Sequence, residues 1–167
     1  MMETFDQHEF RSVLGTFATG VVIVSTCLDG KPEGMTIGAF TSVSLAPPLV
    51  AFLPAKNSKT WPRIRKSEKF TINILGHDQE ELCRTFARTS EEKFSGVSWV
   101  TSDHGTPHLE GALAWLNCKI YNEFDAGDHD IVVGEVSSLF RGQDKDPLVF
   151  HSGKFRTLAI PSSAVLT

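Results

Sequence analysis

Three short segments of the sequence carry residue types that could do chemistry. Residues 34–44 mix small and hydroxyl side chains with strand formers, so a flat ring could lie against backbone N–H groups. Residues 56–60, Lys-Asn-Ser-Lys-Thr, combine lysine, hydroxyls and the free N–H groups of a helix start, which suit a phosphate. Residues 127–129, Gly-Asp-His, place a histidine in a turn, where it can donate hydrogen bonds or move protons near neutral pH.

Each of these segments also has a simpler structural explanation. The first is typical of a partly exposed strand, the second of an ordinary helix N-cap, and the third of a solvated hairpin tip. Taken one at a time, the residue types favour these simpler explanations. The segments indicate a ligand site only when they are considered together with the rest of the chain.

Other kinds of active site have little support in the sequence. His104 and His108 are four residues apart, but the glycine and proline between them argue against a helical pair of metal ligands. No Cys-x-x-Cys motif and no Gly-x-Ser-x-Gly motif occurs, and Cys27 and Cys118 lie in apolar surroundings typical of packing residues. Neither a Gly-x-Gly-x-x-Gly motif nor a Walker loop is present, so we expect no metal site and no common nucleotide-binding fold.

Composition predicts one globular domain over residues 1–167, with a core from about residue 5 to about residue 160. The chain is 41% hydrophobic and 22% charged, and its formal net charge of −4 argues against a nucleic-acid partner. No apolar run approaches the roughly 20 residues of a membrane-spanning helix, and no secretory signal is visible. Three widely spaced cysteines favour a reduced, cytoplasmic chain.

Three short helices are predicted to position the candidate residues. The first has an apolar stripe over residues 10–17, with Asp6 as its N-cap and Gly20 after its end. The second follows residues 57–60, and the third opens at Asp78. All three are short, so we expect them to lie at the periphery of the fold.

Strand patterns fill most of the remaining chain and predict about six strands. They cover residues 21–27, 35–45, 49–53, 70–74, 113–124 and 131–140, and a short last strand is predicted at residues 147–150. Polar and apolar residues alternate over residues 70–74, which predicts a half-buried strand, whereas residues 89–111 are mostly loop. Turns rather than regular crossover helices connect the long strands. The sequence therefore predicts a mainly β, antiparallel barrel with peripheral helices rather than a doubly wound parallel sheet.

A series of motifs runs along nearly the whole chain, from Phe10 to Phe155. The motifs are Phe17-Ala18-Thr19-Gly20-Val21, Gly34-Met35-Thr36 through Ser42-Val43-Ser44-Leu45, Pro47-Pro48-Leu49, Phe70-Thr71-Ile72-Asn73-Ile74-Leu75, Phe86-Ala87, Lys93-Phe94, Gly127-Asp128-His129, Gly134-Glu135-Val136 and Pro147-Leu148. In this order and spacing the chain resembles the short flavin reductase family, the NAD(P)H:flavin oxidoreductases that serve two-component monooxygenases. The resemblance implies the FMN-binding split β-barrel, a Greek-key antiparallel barrel, in a homodimer with flavin sites near the subunit interface.

The resemblance also assigns roles to particular residues. The flavin-binding positions that it implies are Met35, Thr36, Ile37, Gly38, Ala39, Phe40, Ser42, Lys56, Asn57, Ser58, Thr60, Ala87, Arg88 and Lys93. His129 matches the histidine associated with the nicotinamide nucleotide. The implied reaction is hydride transfer from NADH or NADPH to FMN or FAD, with reduced flavin passing to a transient monooxygenase partner.

Two departures from the family pattern bear on this expectation. Gly38 and Ala39 stand where family members often carry Asn-Ser, which leaves the ring contacts mainly to the backbone. His151 stands where an aromatic residue is common. Three alternatives stay open at this point: a flavin-binding or electron-transfer protein without reductase activity, a pyridoxamine-phosphate-oxidase-like enzyme, and a haem-binding relative with His129 or His151 as ligand.

Overall fold

Antiparallel strands dominate the computed structural model, which describes residues 5–159. Its three helices are α1 (Gln7–Leu14), α2 (Trp61–Ser67) and α3 (Glu80–Ala87). Its strands are β1 (Thr19–Gly20), β2 (Val22–Leu28), β3 (Lys31–Ile37), β4 (Phe40–Leu45), β5 (Pro48–Phe52), β6 (Lys69–Ile74), β7 (Trp99–Thr101), β8 (Pro107–Leu109), β9 (Ala114–Ala126), β10 (His129–Arg141), β11 (Val149–His151) and β12 (Lys154–Arg156). Residues 1–4 and 160–167, which the predicted single domain includes, lie outside the described residues, so the domain boundaries stay a prediction.

The main sheet has seven strands in the order β3-β2-β6-β9-β10-β5-β4, and every neighbouring pair is antiparallel. Strands β3 and β4 form its two edges, yet only Gly38 and Ala39 connect them along the chain. The sheet must therefore curl until its edges meet at this corner. The mainly β, antiparallel barrel architecture that the sequence predicts is confirmed.

Large apolar side chains fill the inside of the curled sheet. Phe52, Phe70 and Ile72 are fully buried there, and the ring of Phe52 meets Trp61 and Phe70 edge-on, at centroid distances of 5.7 and 5.2 Å. Burial of each such side chain stabilises the fold by about 1.5–3 kcal/mol. Because Trp61 and Ile64 of α2 belong to the same cluster, burial fixes this helix against the sheet.

A second apolar cluster lies on the outer face of β2, where α3 packs. It contains Ile23 from the sheet and Cys83 and Phe86 from the helix. The ring of Phe86 meets Phe94 edge-on at 4.8 Å, which extends the cluster into the loop after α3. These contacts hold the end of α3 beside β3.

The structure corrects the half-buried strand expected at residues 70–74, because Phe70 to Asn73 are all buried. The segment that contains β7 and β8 covers the second face of β6. The polar side chains there are satisfied internally: the Asn73 side-chain amide donates to the carbonyl of Ile23 (3.0 Å) and accepts from the backbone N–H of Leu109 (2.8 Å). The alternation of polar and apolar residues over residues 70–74 predicted that one face of the strand would be exposed to water. The polar residues Thr71 and Asn73 instead belong to a buried hydrogen-bond network.

Three further boundary predictions differ from the structure. The predicted strand over residues 35–45 is wrong, because it divides at Gly38 into β3 and β4, which pair with different partners. Helix α1 begins after the predicted cap, since Asp6 accepts from the N–H of Glu9 (2.7 Å), but it ends at Leu14 rather than just before Gly20. Helix α3 has Gln79, not Asp78, at its N-cap position.

Candidate functional site

A groove of about 620 Å³ lies between β3, the start of α2 and the end of α3. It is called the α2–α3 groove below. Eight of the sequence-predicted residues line it: Met35, Thr36, Asn57, Ser58, Thr60, Ala87, Arg88 and Lys93. Residues from three distant parts of the chain thus meet in one place, as a binding site requires.

Side chains at the start of α2 form one wall of the groove. The Ser58 hydroxyl accepts from the backbone N–H groups of Thr60 and Trp61, both at 3.2 Å, so this serine caps the helix start. Asn57 is exposed beside it. The Arg63 guanidinium lies 2.7 Å from the carboxylate of Glu33 on β3, and this ion pair joins two walls of the groove.

Lys93 forms the deepest basic position of the groove and is only 9% exposed. Its ammonium donates to the carbonyls of Gly34 and Phe86, both at 3.1 Å, and to the Thr60 hydroxyl at 3.2 Å. Burial lowers the pKa of Lys93, while the more distant charge of Glu33 opposes that shift. This side chain therefore ties β3, α2 and α3 together with all three of its donors.

The third wall is the end of β3. The Thr36 hydroxyl donates to the carbonyl of Cys83 at 2.7 Å, which fixes the strand against α3. Gly34 is buried against the ring of Phe86, where a larger residue would not fit without displacing that ring. The small residue thus permits the close approach of β3 and α3 that shapes the groove.

Five predicted residues lie outside the groove lining, at the end of β3, at the corner that follows it and on β4. Ile37 is buried in the barrel core, so only its backbone is available to a ligand. Gly38 and Ala39 are exposed at the corner where the sheet edges meet, Phe40 is partly buried, and Ser42 is exposed on the edge strand β4. The corner offers exposed backbone and little side chain, as the sequence predicts for a ring-binding segment.

The remaining two predicted residues, Lys56 and His129, lie next to each other at the end of the β9–β10 hairpin. The backbone N–H of Lys56 donates to the carbonyl of Asp128 at 3.0 Å, and Ala55 pairs with His129 in an isolated bridge. The Nδ1 of His129 lies 2.7 Å from the carboxylate of Asp128. That contact lowers the pKa of Asp128, through the hydrogen bond and the charge of His129.

Sequence reasoning missed seven residues of the groove lining: Glu33, Lys59, Arg63, Phe86, Thr89, Ser90 and Glu91. Lys59 lies within residues 56–60, the predicted phosphate-binding segment, so the sequence could have predicted it as a site residue. Phe86 belongs to the Phe86-Ala87 motif, which carried no predicted site role for it. The other five lie in no motif, and only the folding of β3, α2 and α3 against one another brings them together.

The charge of the groove contrasts with that of the whole chain. Its lining includes four basic side chains, Lys59, Arg63, Arg88 and Lys93, against the acidic Glu33 and Glu91, whereas the chain has a net charge of −4. A concave site with this excess of positive charge favours an anionic ligand. Among residues 5–159, no group of three histidine, cysteine or carboxylate side chains is placed to hold a metal ion.

Comparison with known proteins identifies the class. A flavin reductase like domain matches residues 14–159. A flavin reductase of Pseudomonas putida is 45% identical over 90% of this chain and 89% of its own. The reductase subunit HsaB of a flavin-dependent monooxygenase from Rhodococcus jostii is 40% identical, over 92% of this chain and 78% of its own. The solved Streptomyces globisporus NADH:FAD oxidoreductase SgcE6 superposes with a TM-score of 0.89 at 34% identity, covering 97% and 100% of the two chains.

The fold and these similarities together define a flavin reductase domain of the split-barrel type. The chain belongs to the flavin reductase like domain family. In the part of the chain that the structure describes, no helix is both long and apolar enough to cross a membrane.

Proposed function

We propose that this protein is an NAD(P)H:flavin oxidoreductase that reduces FMN or FAD and supplies the reduced flavin to a partner monooxygenase. The observation that carries the proposal is the α2–α3 groove, in which predicted flavin-binding residues from three segments line one basic cleft. When bound, the flavin supplies a hydride acceptor at N5 for the C4 hydride of the reduced nicotinamide. The protein's part is to bind and orient both molecules.

The groove fits the phosphorylated tail of a flavin. Arg88 and Lys59 are exposed on its rim, where they can meet phosphate oxygens, and the Asn57 amide lies beside them. Lys93 adds positive charge from below, because its ammonium is buried without a carboxylate partner among the described residues. Phosphate recognition by several donors of this kind is strong and salt-dependent.

We assign the flavin ring to the exposed corner at Gly38 and Ala39, next to the groove. Ring reduction places negative charge near N1 and O2 of the flavin, and backbone N–H groups of residues 38–40 would stabilise it. Small side chains allow the ring to approach the backbone. This arrangement needs no acidic or basic side chain at the ring.

His129 orients the nicotinamide nucleotide in this proposal. Asp128 holds its Nδ1, which leaves Nε2 to accept a hydrogen bond from the nucleotide. We therefore expect His129→Ala to raise KM for NADH while kcat changes little. A KM for NADH equal to that of the wild type would show that His129 has a different role.

We further propose that the protein is a cytoplasmic homodimer. Helix α1 buries none of its residues in the single chain, and Phe10, Val13 and Leu14 are each about half exposed or more. The long β9–β10 hairpin exposes further large apolar side chains, such as Leu139 at 70%. Large exposed apolar side chains on these two elements favour burial against a second copy of the chain. Light scattering should give twice the 18.4 kDa chain mass, and a monomer would contradict the dimer.

Titration of the apoprotein with FMN and with FAD tests the groove directly. Arg88→Gln removes a rim charge and should raise the flavin Kd about tenfold. Arg141→Gln is the matched control, because Arg141 is exposed on the end of β10 and lines no part of the groove. Equal affinities of the two variants would contradict flavin binding in the groove.

A further inference from the structure

Lys56 has a local geometry that does not fit the phosphate-binding role that the resemblance implies. Its side chain points away from the α2–α3 groove and toward the tip of the β9–β10 hairpin. The ammonium donates to the carbonyl of Gly127 at 2.6 Å and to the carboxylate of Asp125. Two of its three donors are therefore engaged by the hairpin.

The main chain on either side of Lys56 is already attached to the same hairpin. The N–H of Lys56 donates to the carbonyl of Asp128 (3.0 Å), and the N–H of Asp130 donates to the carbonyl of Pro54 (3.1 Å). The two segments run antiparallel, with Ala55 paired to His129, so the long Lys56 side chain reaches across the turn to Asp125 and Gly127. The backbone of Pro54 and Lys56 and the Lys56 side chain therefore all bind to residues 125–130.

Lys56 is one anchor of the hairpin end, and Trp61 is a second anchor on its other side. The indole N–H of Trp61 donates to the carboxylate of Asp130 at 3.0 Å. Trp61 is 2% exposed and belongs to the barrel core, so this contact connects the hairpin to a rigid part of the fold. His129 lies between the two anchors.

Electrostatics agree with the contact between Lys56 and Asp125. A hydrogen bond and the charge of Lys56 both lower the pKa of Asp125. Asp125 is otherwise highly exposed, and the turn that follows it contains Gly127 in the left-handed region, at φ +70°. Without the Lys56 side chain, residues 128–130 would keep their bonds to Pro54, Lys56 and Trp61, but Asp125 and Gly127 would be held by the two-stranded ladder, whose last residues fray readily.

We propose that Lys56 is a positioning residue: by holding the carbonyl of Gly127 and the carboxylate of Asp125, it fixes the turn that presents His129 to the nicotinamide nucleotide. The proposal rests on the role of His129 in the proposed function. It assigns Lys56 to the nicotinamide side of the reaction rather than to the flavin phosphate. The two assignments predict different effects of replacing Lys56: a higher KM for NADH if it positions His129, and a higher FMN Kd if it binds the flavin phosphate.

The test compares Lys56→Met with Asp125→Asn, which removes the same ion pair from the other side. A positioning role predicts that both variants raise KM for NADH about three- to tenfold, with kcat and the FMN Kd within about twofold of the wild type. Combining Lys56→Met with His129→Ala should raise KM no further than His129→Ala alone, because both changes act through one side chain. Lys66→Met is the control, since Lys66 is an exposed lysine of α2 that is 3.9 Å from its nearest carboxylate partner, on Asp29.

Two results would overturn the proposal. If Lys56→Met raises the FMN Kd while Asp125→Asn does not, Lys56 is a phosphate ligand. If both variants keep the wild-type KM for NADH although His129→Ala raises it, the ion pair does not position His129. An unchanged KM in His129→Ala itself would instead refute the nicotinamide role of His129, and the positioning role of Lys56 with it.

Discussion

Replacement of Gly34 by alanine tests whether the close contact between β3 and α3 shapes the α2–α3 groove. An ideal Cβ at this position would lie 2.6 Å and 2.8 Å from two carbons of the Phe86 ring, and 3.4 Å from the ring of Phe94. Real Cβ contacts essentially never fall below 3.0 Å, so the Phe86 ring would have to move. It has little room, because it is 1% exposed and packs edge-on against Phe94.

This overpacking determines how much the free energy of unfolding should fall in Gly34→Ala. Extra methyl groups forced into a packed core destabilise proteins by about 1–3 kcal/mol. The lower chain entropy of alanine in the unfolded state offsets about 0.4–1 kcal/mol of that. A net loss of roughly 1–2 kcal/mol corresponds to a decrease in Tm of about 2–8 °C for a chain of this length. Because the carbonyls of Gly34 and Phe86 both accept from Lys93, we also expect the FMN Kd to rise several-fold.

Thermal unfolding and FMN titration of matched glycine variants provide the assay. Gly20→Ala is the control, because a Cβ at Gly20 would meet no atom within 4 Å and the residue is exposed. It should leave Tm within about 1 °C of the wild type. Adding Phe86→Leu to Gly34→Ala should make the double variant more stable than the sum of the single losses predicts, since the smaller side chain relieves the clash. Equal Tm values for Gly34→Ala and Gly20→Ala would show that Gly34 is not tightly packed against the Phe86 ring.

Three further predictions concern buried and paired charges. Lys93→Met leaves three acceptors without a donor, so the FMN Kd should rise about tenfold in titrations while KM for NADH stays near the wild-type value. Burial raises the pKa of Cys118 to about 12, so in the folded protein Cys118 should resist alkylation at about pH 8.5, near the ordinary thiol pKa, whereas the less buried Cys27 reacts first. The hydrogen bond with Lys145 lowers the pKa of Asp78 in the folded protein. The pair therefore stabilises the fold fully at a pH above the pKa of Asp78 in the unfolded chain, and this stabilisation is lost as the pH falls through its pKa in the folded protein. Asp78→Asn should therefore lower Tm slightly at pH 7 and leave it unchanged in strong acid, because the pair is partly exposed.

Local signals in the sequence predicted much of the fold. Asp6 caps α1 as expected, because a cap depends only on residues within one turn. The long strands and the three helices follow from hydrophobic periodicity. The break at Gly38 could not be predicted in this way, because residues on both sides favour a strand and only the choice of partner strands separates β3 from β4.

The candidate site was predictable in part. The resemblance supplied eight residues that line the α2–α3 groove, from segments with recognisable motifs. It assigned no site role to Glu33 or Phe86, which reach the groove through the packing of β3 against α3. Nor could it show that the ammonium of Lys56 bonds to the hairpin, because that depends on where the turn at Gly127 lies in space.

Steady-state oxidation of NADH and NADPH by the purified protein, with and without added FMN or FAD, is the direct test of the proposed flavin reductase activity. We expect slow oxidation without flavin and fast oxidation that saturates as FMN or FAD is added, because in the proposed function flavin and nicotinamide bind side by side and the reduced flavin is released. Tight flavin binding without flavin-dependent oxidation of either nicotinamide would contradict it and would instead indicate a flavin carrier or electron-transfer protein on the same fold.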